Sequence, residues 1–155
     1  MALFEPAVEI TLKNEGSAVV DDPADAGGLS RYGISQRSYP AENIRELTED
    51  RAKFLYKRDF WKYDDVLDQP LANKIFDMTV NMGNRAILIL QKLVFKTLQP
   101  DAVWGPETCD CVNRADANTL LTQYRSALAN HYEQIVVLRP EEHKFLEGWL
   151  RRATQ

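Results

Sequence analysis

A single glutamate, Glu15, closes a short helical pattern in KNEGSAVVDDPADAGGLSRYGISQ, residues 13–36. After it come Asp21, Asp22 and Asp25, a Gly27-Gly28 pair and a short alternating run. One carboxylic acid with carboxylates close by is the equipment for hydrolysing a glycosidic bond. The acid protonates the leaving oxygen, while a second carboxylate steers water or stabilises positive charge on the sugar. An unperturbed glutamate titrates near ~4.3, so the acid's surroundings must keep it protonated near neutral pH.

Glu15 is suitably placed for that role. The last turn of a helix presents unpaired carbonyls and the negative end of the dipole, both of which disfavour a carboxylate. Apolar neighbours such as Val19 and Val20 would add desolvation in the same direction. Asp22 and Asp25 lie on the following turn, close enough in sequence to fold back opposite Glu15. Asp25 stands just before the glycines, where backbone can approach a sugar closely. Ser30 could orient a water from the run that follows. Aspartate and serine are also common turn-formers, so spacing alone leaves the second catalytic group open between Asp22 and Asp25. Flat aromatic faces and polar side chains hold sugars, and Tyr32, Trp61, Asp77 and Asn81 are candidates for that work. For Trp61 a core aromatic is the favoured reading, and Asn81 fits a helix-end cap equally well.

Helices must position these groups. Phe4, Val8 and Leu12 recur at four-residue intervals, with Pro6 suited to a first helical turn and Gly16 to the stop. Helical spacing then fails from Ser17 to Ser38. DDPADAGG is turn chemistry, and LSRYGIS alternates as a short strand or hairpin arm. A second helix is predicted from a Thr48 cap through Ala52, Leu55 and Tyr56. A third opens at Gln69-Pro70 and stops near Gly83, and a fourth carries Ala86, Leu90 and Val94. After the break LQPDAVWGPET and a short helix, Leu120, Tyr124, Leu128 and Tyr132 stripe a long one. EEHKFLEGWLRRA closes the chain beyond Pro140. The expected fold is mainly α with one small β excursion after the first helix.

Bulk properties narrow the function. At 155 residues, with 45% hydrophobic and 27% charged residues, the chain is long enough for a core that needs no staples. A net charge of −4 argues against nucleic acid, which rewards a basic face. Cys109 and Cys111 are too close for a stabilising disulfide, and two thiols alone rarely make a metal site. No metal or cofactor is expected. The N-terminal stretch lacks the basic lead and apolar core of a signal peptide, and no run approaches the ~18 apolar residues of a membrane span. Synthesis in the cytoplasm without membrane insertion is the expectation.

The chain resembles glycoside hydrolase family 108, the N-acetylmuramidases that include phage-type endolysins and secretion-associated muramidases. The resemblance rests on an ordered series: Glu15-Gly16, Asp22-Pro23-Ala24-Asp25-Ala26-Gly27-Gly28, Tyr32-Gly33-Ile34, RDFWKYDD, and FDMTVNMG followed by Leu90-Gln91. DAVWGPET and FLEGWLRR are similar to the helical peptidoglycan-binding region that follows the catalytic part in that family. Ser17 and Ala18 replace a glycine and a tyrosine of the motif, and Ser30 stands for a threonine, keeping the hydroxyl. The resemblance implies a lysozyme-like fold, a muramidase region over residues 1–92 and a peptidoglycan-binding-like region over 93–155. It implies cleavage between N-acetylmuramic acid and N-acetylglucosamine with Glu15 essential, the glycan strand as partner, and a holin or secretion channel for delivery to the wall. Two rival readings keep the fold: a wall-binding or assembly protein without turnover, and a lytic transglycosylase, which would leave a 1,6-anhydro ring.

Overall fold

A computed structural model describes residues 1–23 and 28–155. The first helix, α1 (Phe4–Glu15), begins two residues before Pro6, whose missing N–H is no loss in a first turn. The residues ahead of it are tied down: Ala2 N–H donates to Asp64 O at 3.1 Å and Leu3 N–H to Gln69 Oε1 at 2.7 Å. Gly16, at φ +79°, ends the helix and donates its N–H to Leu12 O at 2.9 Å.

Three short strands follow, β1 (Val20–Asp21), β2 (Leu29–Arg31) and β3 (Ile34–Ser35), in one antiparallel sheet of order β1-β2-β3. Val20 pairs with Ser30, and Arg31 with Ile34. The run read from sequence as a short strand or hairpin arm is a hairpin of two strands, β2 and β3. Tyr32 at φ +53° and Gly33 at φ +75° form a two-residue turn with both centres in the left-handed region, the geometry that matches the twist of a tight hairpin.

Helix α2 (Glu49–Asp59) starts on the Thr48 cap, whose hydroxyl accepts Arg51 N–H at 3.2 Å. Helix α3 (Gln69–Met82) starts on Asp68, which accepts Leu71 N–H at 2.8 Å, with Pro70 in its first turn. Such caps each stabilise a helix by about 1 kcal/mol. Gly83 at φ +64° turns the chain directly into α4 (Asn84–Val94). Then come α5 (Pro106–Arg114), the long α6 (Ala117–Leu138) and α7 (His143–Thr154).

The core lies along α3, which packs against α1 on one side and against α4 and α6 on the other. Phe4, Trp61, Tyr63 and Phe76 meet edge to face with centroids 5.6–6.4 Å apart, and Tyr56 joins them at 6.2 Å from Phe76. Leu90 from α4 and Tyr124 and Leu128 from α6 are fully buried in the same apolar mass. Buried Gln91 fastens the irregular segment before α5. Its amide donates to Asp101 Oδ1 at 2.8 Å and Thr108 Oγ1 at 3.0 Å, and its carbonyl accepts from Asp101 and Ala102 N–H. The mainly α expectation holds, and among the described residues no helix is long and apolar enough to cross a membrane.

Candidate active site

Glu15 is the last residue of α1, and its side chain is 21% exposed. The Tyr32-Gly33 turn lies across it. A Cβ built on Gly33 would stand 2.7 Å from Glu15 Cγ and 2.8 Å from Cδ, and would collide with the Tyr56 hydroxyl. Position 33 therefore needs glycine twice over, for its positive φ and for the closeness of the carboxyl. The turn is fixed from below by Tyr56 Oη–H, which donates to Tyr32 O at 2.8 Å. Burial, and then the charge of Glu15, push the Tyr56 phenol far above its ordinary range, so it remains a donor. Arg31 steadies the segment after α1, donating to Ser17 O and Arg45 O at 3.0 Å each.

A cation from the far end of the chain completes the arrangement. Arg152, near the end of α7, places Nη1 2.8 Å from Glu15 Oε1. Its other edge grips Asp77 as a fork, with Nε 3.0 Å from Oδ2 and Nη2 2.9 Å from Oδ1. Asp77 is 1% exposed and also accepts from Thr11 Oγ1 at 2.9 Å and Asn14 Nδ2 at 3.1 Å. One buried network thus joins α1, α3 and α7. Burial opposes the charge on Arg152, but hydrogen bonding and attraction from Asp77, followed by Glu15, hold the guanidinium above its ordinary value. Lys74 anchors the same helix by donating from Nζ to Arg152 O at 2.7 Å, and burial lowers its ammonium to about 8.

Two grooves open along α1. One, of about 370 Å³, is lined by Leu12, Gly16, Ser17 and Tyr32 among others. A second, of about 350 Å³, is lined by Lys13, Asn14, Lys74, Asp77 and Arg125.

The residues singled out from sequence are distributed unequally around this centre. Glu15 and Asp77 share Arg152, and half-buried Tyr32 forms the turn above Glu15. Ser30 sits on β2, paired between Val20 and Ser35. Asp22 is exposed just past β1. Asp25 lies outside the described residues. Asn81, half-buried on α3, accepts a short hydrogen bond from the Tyr132 hydroxyl.

Two expectations need correction. Trp61 is 8% exposed, its ring enclosed by Phe4, Tyr63 and Phe76, and its Nε1–H donates to Asp64 at 2.9 Å. Packing has claimed the faces a sugar would need. Asp77 offers no open oxygen to a substrate, since Thr11, Asn14 and Arg152 fill its lone pairs. It is a buried counter-charge instead. Thr11, Asn14, Tyr56 and Arg152 were missed by sequence reasoning. Arg152 left only a faint signal, a basic residue continuing the face of α7 that carries Trp149. Among the described residues no cluster of metal-binding side chains occurs.

Seven helices with a small antiparallel sheet after the first form a mainly α, lysozyme-like fold among the described residues. Residues 8–83 match the profile described as "Glycosyl hydrolase 108", and residues 85–154 that described as "Predicted Peptidoglycan domain". The chain belongs to the glycosyl hydrolase 108 family and is a peptidoglycan hydrolase. Its fold is similar to that in "Structure of Brucella abortus SagA", with a TM-score of 0.78 and 24% identity over 97% of this chain and 89% of that one. A search of curated proteins found no match.

Proposed function

We propose that the chain cleaves the bond between N-acetylmuramic acid and N-acetylglucosamine, with Glu15 as general acid. The observation that carries this reading is the seat of Glu15 at the last turn of α1, closely covered by the Tyr32-Gly33 turn. A neutral carboxyl can keep Oε1 as acceptor for Arg152 while its second oxygen carries the proton. That proton passes to the glycosidic oxygen as the bond to the anomeric carbon breaks and its electron pair leaves with the departing sugar. Water then adds at the anomeric carbon, and the proton it sheds returns to the Glu15 carboxylate, directly or by way of the assisting aspartate, which restores the acid.

Asp22 and Asp25 are the proposed assistants in steering that water, with Ser30 as a further orienting hydroxyl. Tyr32 and Asn81 are proposed to touch the glycan. The division at residues 92 and 93 into muramidase and wall-binding-like regions belongs to the same reading. So does a phage- or prophage-type bacteriolytic role with export by a holin or secretion channel, supported only by the resemblance to endolysins.

Mass spectrometry of products from purified peptidoglycan tests the assigned bond. Disaccharide-peptides with a new reducing end on N-acetylmuramic acid are expected. Products ending in a 1,6-anhydro ring would make the protein a lytic transglycosylase, and intact glycan with bound protein would make it a wall-binding protein without turnover.

A further inference from the structure

Helix α7 brings more than Arg152 to the site. Phe145, Trp149 and Arg152 follow one another at four- and three-residue spacing, so they form a single row along one helix face. At 1.5 Å per residue the row is about 10 Å long. Arg152 ends it at Glu15. In the middle, Trp149 stacks on Tyr132 of α6 with centroids 5.1 Å apart and planes at 21°. Tyr132 in turn donates to Asn81, and burial holds its phenol well above the ordinary range, with the charges of Arg152, Asp77 and Glu15 as lesser influences. At the outer end Phe145 lies 5.7 Å from Trp149 and is 47% exposed. Lys144, itself exposed, rests its ammonium 4.9 Å over the Phe145 ring.

Core packing accounts for Tyr132 and part of Trp149, but not for an aromatic ring left half in water at the end of the row. A pyranose has an apolar C–H face rimmed by hydroxyls. A row of aromatic rings with Lys144 over Phe145 at its outer end matches that pattern of apolar face and polar edge. The row also lies inside the segment that matches the peptidoglycan domain and runs directly to Glu15.

We propose that Phe145 and Trp149 are the platform on which the glycan strand of peptidoglycan lies as it leads into the Glu15 site, with Lys144 at its rim. The proposal rests on the reading of Glu15 as the acid, because that fixes where the row points. The occupant is the sugar backbone rather than the stem peptide, since contiguous rings favour flat C–H faces over a flexible charged peptide.

The test separates binding from turnover. In the Glu15→Gln chain, sedimentation with purified sacculi and calorimetric titration with N-acetylglucosamine hexamer measure binding alone. Adding Phe145→Ala should weaken both by on the order of three- to tenfold. Trp149→Phe, which keeps a ring against Tyr132, should weaken them in the same direction when binding is measured well below its melting temperature. Phe54→Ala serves as the control, since it removes an equally exposed ring from α2. Parental binding by both α7 variants would overturn the proposal. So would sacculus binding that free stem peptides compete away and sugar hexamer does not. A failure of the Glu15 assignment reads out elsewhere, as equal lysis by wild type and Glu15→Gln with the isotherms unaltered.

Discussion

Replacing Arg152 with glutamine removes the cation that Glu15 and Asp77 share while keeping a side chain of similar reach. Opposite charges about 4 Å apart attract by about 4 kcal/mol at an effective dielectric of 20. Asp77 is such a partner, Glu15 adds a second contact at 2.8 Å, and the Arg152 side chain is only 10% exposed. Part of that attraction offsets the cost of burying the ions, so the measurable quantity is the cost of leaving Asp77 alone. Asp77 would keep Thr11 and Asn14 as donors but no counter-charge. Removing one partner of a buried pair costs about 3–5 kcal/mol, and Arg152→Gln is expected near the lower end of that range. The assay is urea denaturation of four chains: wild type, Arg152→Gln, Asp77→Asn and the double variant. Because the double variant leaves no orphaned charge, it should recover at least about 2 kcal/mol of the summed single losses. Additive losses, or a loss for Arg152→Gln below about 1 kcal/mol as for an exposed pair, would refute the network as the link between α7 and the site.

Gly33→Ala should lower stability by about 2 kcal/mol or more, since it meets both the positive φ and the Glu15 carboxyl, and thermal melting will register it. Turnover should fall further than stability explains, because the same methyl displaces Glu15. Lys74 supplies a pH dependence. Its folded value of about 8 lies below the ordinary lysine value of 10.5, so between them the unfolded chain binds more protons. Stability should therefore rise with pH across that window, by on the order of 1–2 kcal/mol. Lys74→Met should flatten the rise, and denaturation midpoints at pH 7.5 and 10 compare the two directly.

The parts of this protein legible in its sequence are those set by local rules. Phe4, Val8 and Leu12 gave α1 its buried face, and Gly16 gave it an end at the residue after Glu15. Thr48, Gln69-Pro70 and Gly83 marked helix boundaries for similar reasons. The β region was harder. Alternation from Leu29 to Ser35 fits a strand or a hairpin arm, but nothing in a tyrosine announces a positive φ, so the position of the turn over Glu15 is not legible. Trp61 was ambiguous because apolar surroundings serve a core and a sugar platform alike, and only the rings of Phe4, Tyr63 and Phe76 decide it. Arg152 was beyond reach for a different reason. Its partners, Glu15 and Asp77, are far away in sequence, and no periodic pattern encodes a contact between the two ends of a chain.

The most direct test of the central claim is the rate at which reducing ends appear when purified peptidoglycan is incubated with wild type and with Glu15→Gln at equal folded concentration. Loss of the proton donor should slow release by at least about a hundredfold, with sacculus binding retained. Equal rates in the two proteins would contradict the account.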